Sequence, residues 1–221
     1  MNQWLAFFIS VGYVFVVIGV AELLGARLGY GSDFTRKLIH IGVGMISWTL
    51  PFLFFTPWPF VAAALIFALL NLLDWRFGFL AAMASSDRAN LGTVYFPLAA
   101  AFVVILFWEQ PPLMVAALMP LTWGDGLAAP VGRSLGTISY TVWRHTRTLQ
   151  GSAAFFAAGL LFTWLALWLI PGPPSISPAA ALAPAVAVMA VTTVVEAISV
   201  WGLDNLSVTL TAVAALLAWP F

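Results

Sequence analysis

The residues whose types could do chemistry are concentrated between Thr122 and Ser152, in a chain that is otherwise mostly apolar. This stretch reads TWGDGLAAPVGRSLGTISYTVWRHTRTLQGS. Asp125 stands between two glycines, whose missing side chains would let a ligand approach the backbone. Arg133 and Arg147 follow in the same polar segment. Because a carboxylate suits a metal ion and guanidinium groups suit phosphates, the stretch favours a nucleotide site.

The metal expected in this stretch is Mg²⁺. Thr122 and Asp125 supply hard oxygen atoms, which Mg²⁺ prefers when it also holds substrate phosphates, and it needs only one or two carboxylates. Gly132 and Gly151 would allow the polar loop to close on those phosphates. The alternative is an ordinary basic loop, which stays open for Arg144.

A second candidate segment, RKLIHIGVG, begins an apolar run. It places Lys37, His40 and Gly44 at helical spacings that share one face, so a cation and an imidazole meet on one surface. Alternatively, Arg36 and Lys37 anchor the helix at the lipid headgroups and His40 bonds to a neighbouring helix. Gly42 and Gly44 are expected to permit close helix packing.

Further acids occur inside or beside apolar runs. Asn71 and Asp74 end the third run, where they form either a polar site or an interfacial helix end. Glu196 lies within the seventh run, and an acid inside a membrane is a functional candidate. Asp204 could cap the next helix. Since a cap does not explain Glu196, we expect both acids to converge on Asp125.

The composition places the chain in a membrane. Of its 221 residues, 63% are hydrophobic and 7% charged, which excludes an ordinary water-soluble domain. Cysteine is absent, so disulfides and thiolate metal sites are excluded. The chain has no Walker A loop, HExxH or GxSxG, so soluble kinase, Rossmann and common hydrolase classes lack support.

The apolar runs predict an all-α, polytopic membrane helix bundle with seven or eight transmembrane helices, forming one integral membrane domain over residues 1–221. The fourth, fifth and eighth runs are short and could tilt, break or re-enter. The predicted helices are Trp4–Leu24, Leu38–Phe55, Trp58–Leu73, Val94–Trp108, Leu113–Val131, Gly151–Ile170, Pro178–Val200 and Leu206–Phe221.

The charges predict the orientation. All Lys and Arg residues fall in alternate loops: Arg27, Arg36, Lys37, Arg76, Arg88, Arg133, Arg144 and Arg147. The positive-inside rule then places these loops in the cytoplasm and the N-terminus outside. Most acids fall on or near the same side, namely Glu22, Asp33, Asp74, Asp87, Asp125, Glu196 and Asp204, leaving Glu109 opposite. The rule makes no demand on acids, so their position favours a polar site there.

Five motifs in order resemble the membrane family of phytol, farnesol and dolichol kinases, which is broadly related to phosphatidate cytidylyltransferases. The motifs are RKLIHIGVG, GTVYFPL, GDGLAAPVGRSLG, TLQGS and EAISVWGLDNLSV. The resemblance covers nearly the whole chain, and its length is most similar to the bacterial phytol kinase branch. It implies phosphoryl transfer from CTP, with Mg²⁺, to an isoprenoid alcohol.

The resemblance also implies roles for individual residues. The motif acid is Asp125, and either Asp204 or His40 would accept the alcohol proton. Expected metal ligands are Asp125, Asp204 and Glu196. Expected nucleotide-binding residues are Lys37, Gly124, Gly126, Gly132, Arg133, Arg147, Gly151, Ser152 and Asn205. The chain departs from the family where Lys and Glu are usual, since Arg147 and Gln150 stand in those places.

Two rival functions remain at this point. A phosphatidate cytidylyltransferase would use the same polar face but attack the α-phosphate. A nonenzymatic transporter would need polar residues on both sides, and Glu109 is the one outer acid. The expected location is the cell membrane of a bacterium, with the site facing the cytoplasm. Expected partners are an isoprenoid alcohol, a nucleotide and the bilayer, with no nucleic acid; the alcohol and the oligomeric state stay open.

Overall fold

A computed structural model describes residues 2–29, 31–78, 90–143 and 145–221. Asp87, Arg88 and Arg144 lie outside these residues. The helices are α1 (Gln3–Leu28), α2 (Ser32–Gly44), α3 (Leu50–Leu53), α4 (Trp58–Phe77), α5 (Gly92–Phe107), α6 (Pro111–Met119), α7 (Gly126–Leu135), α8 (Leu149–Leu169), α9 (Pro178–Ile198) and α10 (Asp204–Leu217). A 3₁₀ turn, Met45–Trp48, follows α2, and a π-helical turn, Pro120–Asp125, joins α6 to α7.

Each of the eight predicted apolar runs contains a helix. Within the described residues, five helices are long and apolar enough to cross a membrane. They are Gln3–Leu28, Trp58–Phe77, Pro111–Leu135, Leu149–Leu169 and Pro178–Ile198. The helices Gly92–Phe107 and Asp204–Leu217 are apolar but shorter. The helical membrane class is therefore confirmed, while the count of seven or eight spans and their orientation stay predictions.

The fifth run forms the centre of the bundle. Every residue from Pro112 to Thr122 is buried, as expected for a helix that is apolar on all sides. The run does not break near Asp125 but widens into the π-helical turn. This turn starts at Pro120, which has no backbone N–H to donate to the preceding helical turn. Such turns are frequent at functional sites.

Glycines allow the helices to approach closely. A Cβ on Gly42 would overlap the side chain of Val17 on α1, so the packing role predicted for this residue is confirmed. A Cβ on Gly124 would lie 3.0 Å from the Phe155 carbonyl oxygen on α8. A Cβ on Gly132 would lie 3.4 Å from the Cα of Gly151.

These contacts correct the interpretation that glycines around Asp125 open the backbone to a ligand. Gly124, Gly126, Gly132 and Gly151 face neighbouring helices, where Ile41 packs over Gly126. Their missing side chains are therefore explained by helix packing.

A short β-hairpin interrupts the otherwise helical chain. Strands β1 (Ser139–Val142) and β2 (His145–Thr148) pair antiparallel, with Tyr140 opposite Arg147. Trp143 follows β1 with a φ of +47°, in the left-handed region that short hairpin loops use. The segment was predicted as a polar loop because its four-residue strands are too short to show a clear periodicity.

Candidate functional site

Lys37, His40 and Asp125 meet where α2 crosses the π-helical turn. The Lys37 Nζ donates to Asp125 Oδ2 over 2.6 Å, and His40 Nε2 lies 3.5 Å from the same oxygen. Asp125 is only 7% exposed, so its carboxylate needs a cationic partner to stay ionised there. The structure thus joins the RKLIHIGVG segment to the stretch between Thr122 and Ser152 through one carboxylate.

The hydrogen bond of His40 determines its tautomer. His40 Nε2 lies 2.8 Å from the Leu121 carbonyl oxygen. A carbonyl can only accept, so Nε2 carries the proton. Nδ1 is then the nitrogen left to accept a proton, and the ring packs on Phe96 with centroids 4.4 Å apart. Both alternatives left open for His40 therefore hold in part, since its ring bonds to a neighbouring helix and also lies at the polar cavity.

Asp204 and Asn205 approach the same centre from the start of α10. Asp204 Oδ1 accepts from the Asn205 backbone N–H and side-chain amide, both at 3.0 Å. Leu203 occupies the position that precedes the helix, so Asp204 is its first residue and not its N-cap. Asp204 and Asp125 line the same cavity, so these two acids converge as expected.

One cavity of about 440 Å³ connects these residues. Its charged end is lined by Arg36, Lys37, His40, Asp125, Asp204 and Asn205, together with Glu22, Asn71 and Asn90. Beyond this end the cavity becomes an apolar shaft between α1, α2, α4, α5 and α6, lined by side chains such as Val14, Phe67, Ala64 and Leu118. A polar group and a long apolar chain can therefore be bound together.

The depth of the shaft follows from the helices that line it. On α4 the lining residues run from Asn71 at the charged end back to Phe60. At about 1.5 Å per helical residue, this distance is about 16 Å. On α1 they run from Glu22 to Ser10, which is about 18 Å by the same rise. Two helices thus agree on a shaft long enough for several isoprenoid units.

The charged end has the donors that Mg²⁺ needs. Asp125 and Asp204 contribute two carboxylates to one cavity, beside the Asn205 side chain. The described residues contain no group of three His, Cys, Asp or Glu side chains placed to hold a metal. Mg²⁺ takes one or two carboxylates and completes its shell with phosphate and water, so Mg²⁺ at this end stays a prediction.

Arg147 was expected to bind the nucleotide and Glu196 a metal ion, but in the structure they contact each other. Arg147 Nη1 forms an ion pair with Glu196 Oε1, and Nη2 donates to the Ser199 carbonyl oxygen over 2.6 Å. The Glu196 side chain is 4% exposed and neither residue lines the cavity. The pair joins β2 to the C-terminal end of α9, so Glu196 is engaged by Arg147 and not presented to a metal.

Other predicted residues lie away from the cavity. Arg133 is exposed in the last turn of α7. The Ser152 hydroxyl bonds to the Tyr140 hydroxyl over 2.6 Å. Gln150 Oε1 accepts from the Thr137 and Ile138 backbone N–H groups, at 3.1 and 3.3 Å. Gln150 therefore holds the segment before β1, which explains the residue without a metal.

Sequence reasoning underestimated four lining residues. Arg36 was considered mainly as a headgroup anchor and Glu22 only as part of the charge asymmetry, yet both line the charged end. Asn90 accepts from the Gly92 N–H over 2.8 Å, and its position just before the GTVYFPL motif was the available signal. Ser47 lines the shaft, and no sequence pattern singled it out.

A polar site and an interfacial helix end were the two interpretations left open for Asn71 and Asp74, and the structure places the two residues differently. The Asn71 amide donates to the Thr93 carbonyl oxygen over 2.8 Å and lines the cavity. Asp74 is buried near the end of α4 but is not among the lining residues. Only Asn71 therefore belongs to the polar end of the cavity.

Comparison with known proteins identifies the relatives of this chain. No protein-family model and no solved structure matches it. It is 30% identical over 218 residues to the phytol kinase of Synechocystis sp., covering 98% of this chain and 91% of that protein. It is 32% identical over 198 residues to a probable chloroplastic phytol kinase of Triticum aestivum, covering 81% of this chain and 65% of that protein.

The similarity extends to a second named activity. The chain is 26% identical over 175 residues to the chloroplastic farnesol kinase of Arabidopsis thaliana, covering 71% of this chain and 54% of that protein. The match to the Synechocystis protein spans almost the whole of both chains. This chain therefore belongs to the family of phytol and farnesol kinases.

Proposed function

We propose that this protein transfers the terminal phosphoryl group of CTP to the hydroxyl of an isoprenoid alcohol, such as phytol, geranylgeraniol or farnesol. The observation that carries the proposal is the shape and chemistry of the cavity, which runs about 16 Å from a charged end to the far end of an apolar shaft. The names of the relatives support the same reaction class.

The reaction needs positioning and charge neutralisation more than covalent help from the protein. The alcohol oxygen attacks the γ-phosphorus, the bond between that phosphorus and CDP breaks, and prenyl monophosphate and CDP are released. Lys37 and Arg36 are the cations at the charged end, so we assign them to the phosphates. This moves the phosphate-binding role away from Arg147.

Asp204 is the better acceptor for the alcohol proton. Its Oδ2 receives no hydrogen bond within the part of the chain that the structure describes, while Oδ1 is held by Asn205. His40 already donates through Nε2 to a backbone carbonyl and has only Nδ1 left. We therefore assign proton acceptance to Asp204 and orientation of the centre to His40.

Asp125, with the Asn205 side-chain oxygen beside it, would hold Mg²⁺, which leaves Asp204 Oδ2 to accept the alcohol proton. When bound, the ion would neutralise the negative charge of the phosphates. CTP as the donor is supported by the family resemblance.

The membrane arrangement is part of the proposal. We infer one integral membrane domain with seven or eight spans, an external N-terminus and a cytoplasmic charged end, in the cell membrane of a bacterium. The supporting observations are the long apolar helices and the alternation of Lys and Arg between loops. The alcohol tail would enter from the bilayer, and the water-soluble nucleotide from the cytoplasm.

Labelled nucleotides test this function directly. Purified protein is supplied with Mg²⁺, phytol or geranylgeraniol, phosphatidate, and CTP labelled at the α or the γ phosphate, with labelled ATP in parallel. Label from the γ position in a lipid product is expected. Label from the α position in lipid would instead show cytidylyl transfer, and ATP outcompeting CTP would overturn the donor assignment.

Two variants connect the activity to the site. Asp125→Asn and Asp204→Asn are each expected to abolish prenol phosphorylation. Glu109→Gln is expected to leave it unchanged, because Glu109 is exposed just before α6 and does not line the cavity. Asp204 serves as the second test because Asp125→Asn also breaks the pair with Lys37. If no acceptor yields product and both variants bind nucleotide like wild type, a nonenzymatic function is indicated.

A further inference from the structure

Two residues that line the cavity carry a buried hydroxyl group without a hydrogen-bond partner among the described residues. They are Thr122 Oγ1 and Ser47 Oγ, on side chains of residues that are each 1% exposed. An unsatisfied buried hydroxyl is costly, and native proteins contain few of them. Each of these groups therefore calls for a partner beyond the residues that the structure describes.

The contrast with other hydroxyl side chains in the helices is clear. Ser10, Thr192, Thr193 and Thr209 each donate to the carbonyl four residues earlier. This is the usual way for a helical Ser or Thr to satisfy its hydroxyl. Thr122 makes no such bond to Leu118, although both residues line the cavity.

Thr122 lies at the junction between the charged end and the shaft. It shares the π-helical turn Pro120–Asp125 with Asp125, and Leu118 continues the same wall along the shaft. Across the cavity wall, α2 presents Gly44, where any Cβ would overlap the Thr122 side chain. Gly44 thus leaves the space in which this hydroxyl sits.

We propose that Thr122 is a substrate-binding residue, whose hydroxyl donates a hydrogen bond to the oxygen of the isoprenoid alcohol. The reacting oxygen must lie close to the acids and cations while its tail occupies the shaft, and Thr122 is the unpartnered hydroxyl at that boundary. Ser47 lies on the 3₁₀ turn after α2, about three helical turns beyond Lys37, too far for contact with a reacting oxygen.

This inference rests on the proposed function for the identity of the ligand, but its test does not require turnover. Equilibrium binding of geranylgeraniol is compared with binding of the corresponding hydrocarbon that lacks the hydroxyl, in wild type, Thr122→Val and Thr122→Ser. Valine keeps the shape and removes the hydroxyl, and serine keeps the hydroxyl. Thr163→Val is the matched control, because Thr163 is buried and does not line the cavity.

Wild type and Thr122→Ser are expected to prefer the alcohol over the hydrocarbon. Thr122→Val is expected to lose about 10-fold or more of that preference, as for one lost hydrogen bond to a buried group. In activity assays the same variant is expected to raise KM for the alcohol while nucleotide binding is unchanged.

Two results would overturn the inference. One is an unchanged preference for the alcohol in a folded Thr122→Val protein. The other is an equal loss in Thr122→Val and Thr163→Val. If the preference depends on Thr122 but no phosphorylated lipid forms, the inference stands and the kinase proposal fails.

Discussion

Removal of Arg147 or Glu196 tests whether this pair serves the fold or the reaction. The Glu196 side chain is 4% exposed and the Arg147 side chain 22% exposed, so removing one partner or the other should cost unequal amounts of unfolding free energy. Arg147→Met leaves a buried carboxylate without its partner and removes the bond to the Ser199 carbonyl. Breaking a buried pair in this way costs about 3–5 kcal/mol of unfolding free energy.

The reverse substitution and the double variant complete the cycle. Glu196→Leu leaves a guanidinium that can still reach water, so we expect a smaller loss, about 1–3 kcal/mol. The double variant removes both charges and should lose only the bond to Ser199, about 1–2 kcal/mol. It should therefore be more stable than Arg147→Met alone, which is a large coupling between neighbouring residues.

The measurement is an unfolding titration of each purified variant in detergent micelles, with prenol phosphorylation determined per folded protein. Because neither residue lines the cavity, the double variant should keep activity within about threefold of wild type. If the stability losses of the two single variants simply add in the double variant, the ion pair is not the cause of the destabilisation. A folded double variant without activity would show that Arg147 contacts phosphate after all.

Two further substitutions test the shaft and the departure at Gln150. Ala64→Phe places a ring about 10 Å from the charged end, since Ala64 lies seven residues before Asn71 on α4. If the alcohol loses burial of two or three CH₂ groups, at about 0.8 kcal/mol each, its KM should rise about 10- to 100-fold for geranylgeraniol and much less for farnesol. The control is Leu65→Phe, on the exposed side of α4. Equal effects on both alcohols would exclude the shaft as the binding site. Gln150→Glu keeps an oxygen that can accept from the N–H groups of Thr137 and the next residue. The free energy of unfolding should therefore change by less than about 0.5 kcal/mol, and kcat should stay the same. A large rise in kcat would instead indicate that a carboxylate at this position reaches the metal.

Much of the architecture could be predicted from apolar runs. A membrane segment must satisfy its backbone within a helix, so length and hydropathy alone locate helices such as Trp58–Phe77 and Pro178–Ile198 closely. The hairpin over residues 139–148 was missed because pairing between two four-residue strands is a local event without a periodic signal. The π-helical turn was also missed, because a wider turn within an apolar run has the same composition as the helix around it.

The candidate site was predictable in its residue types but not in its pairings. In a chain with 7% charged residues, burying any charge is expensive, so Asp125, Lys37 and Asp204 were recognisable as candidates from the sequence by itself. The tertiary structure alone decided which charges neutralise one another. It paired Lys37 with Asp125 at the cavity and placed Arg147 against Glu196 outside it, because helix crossings and not sequence spacing determine which side chains meet. It also left the Thr122 hydroxyl without a partner among the described residues, at the head of an apolar shaft that five helices form together.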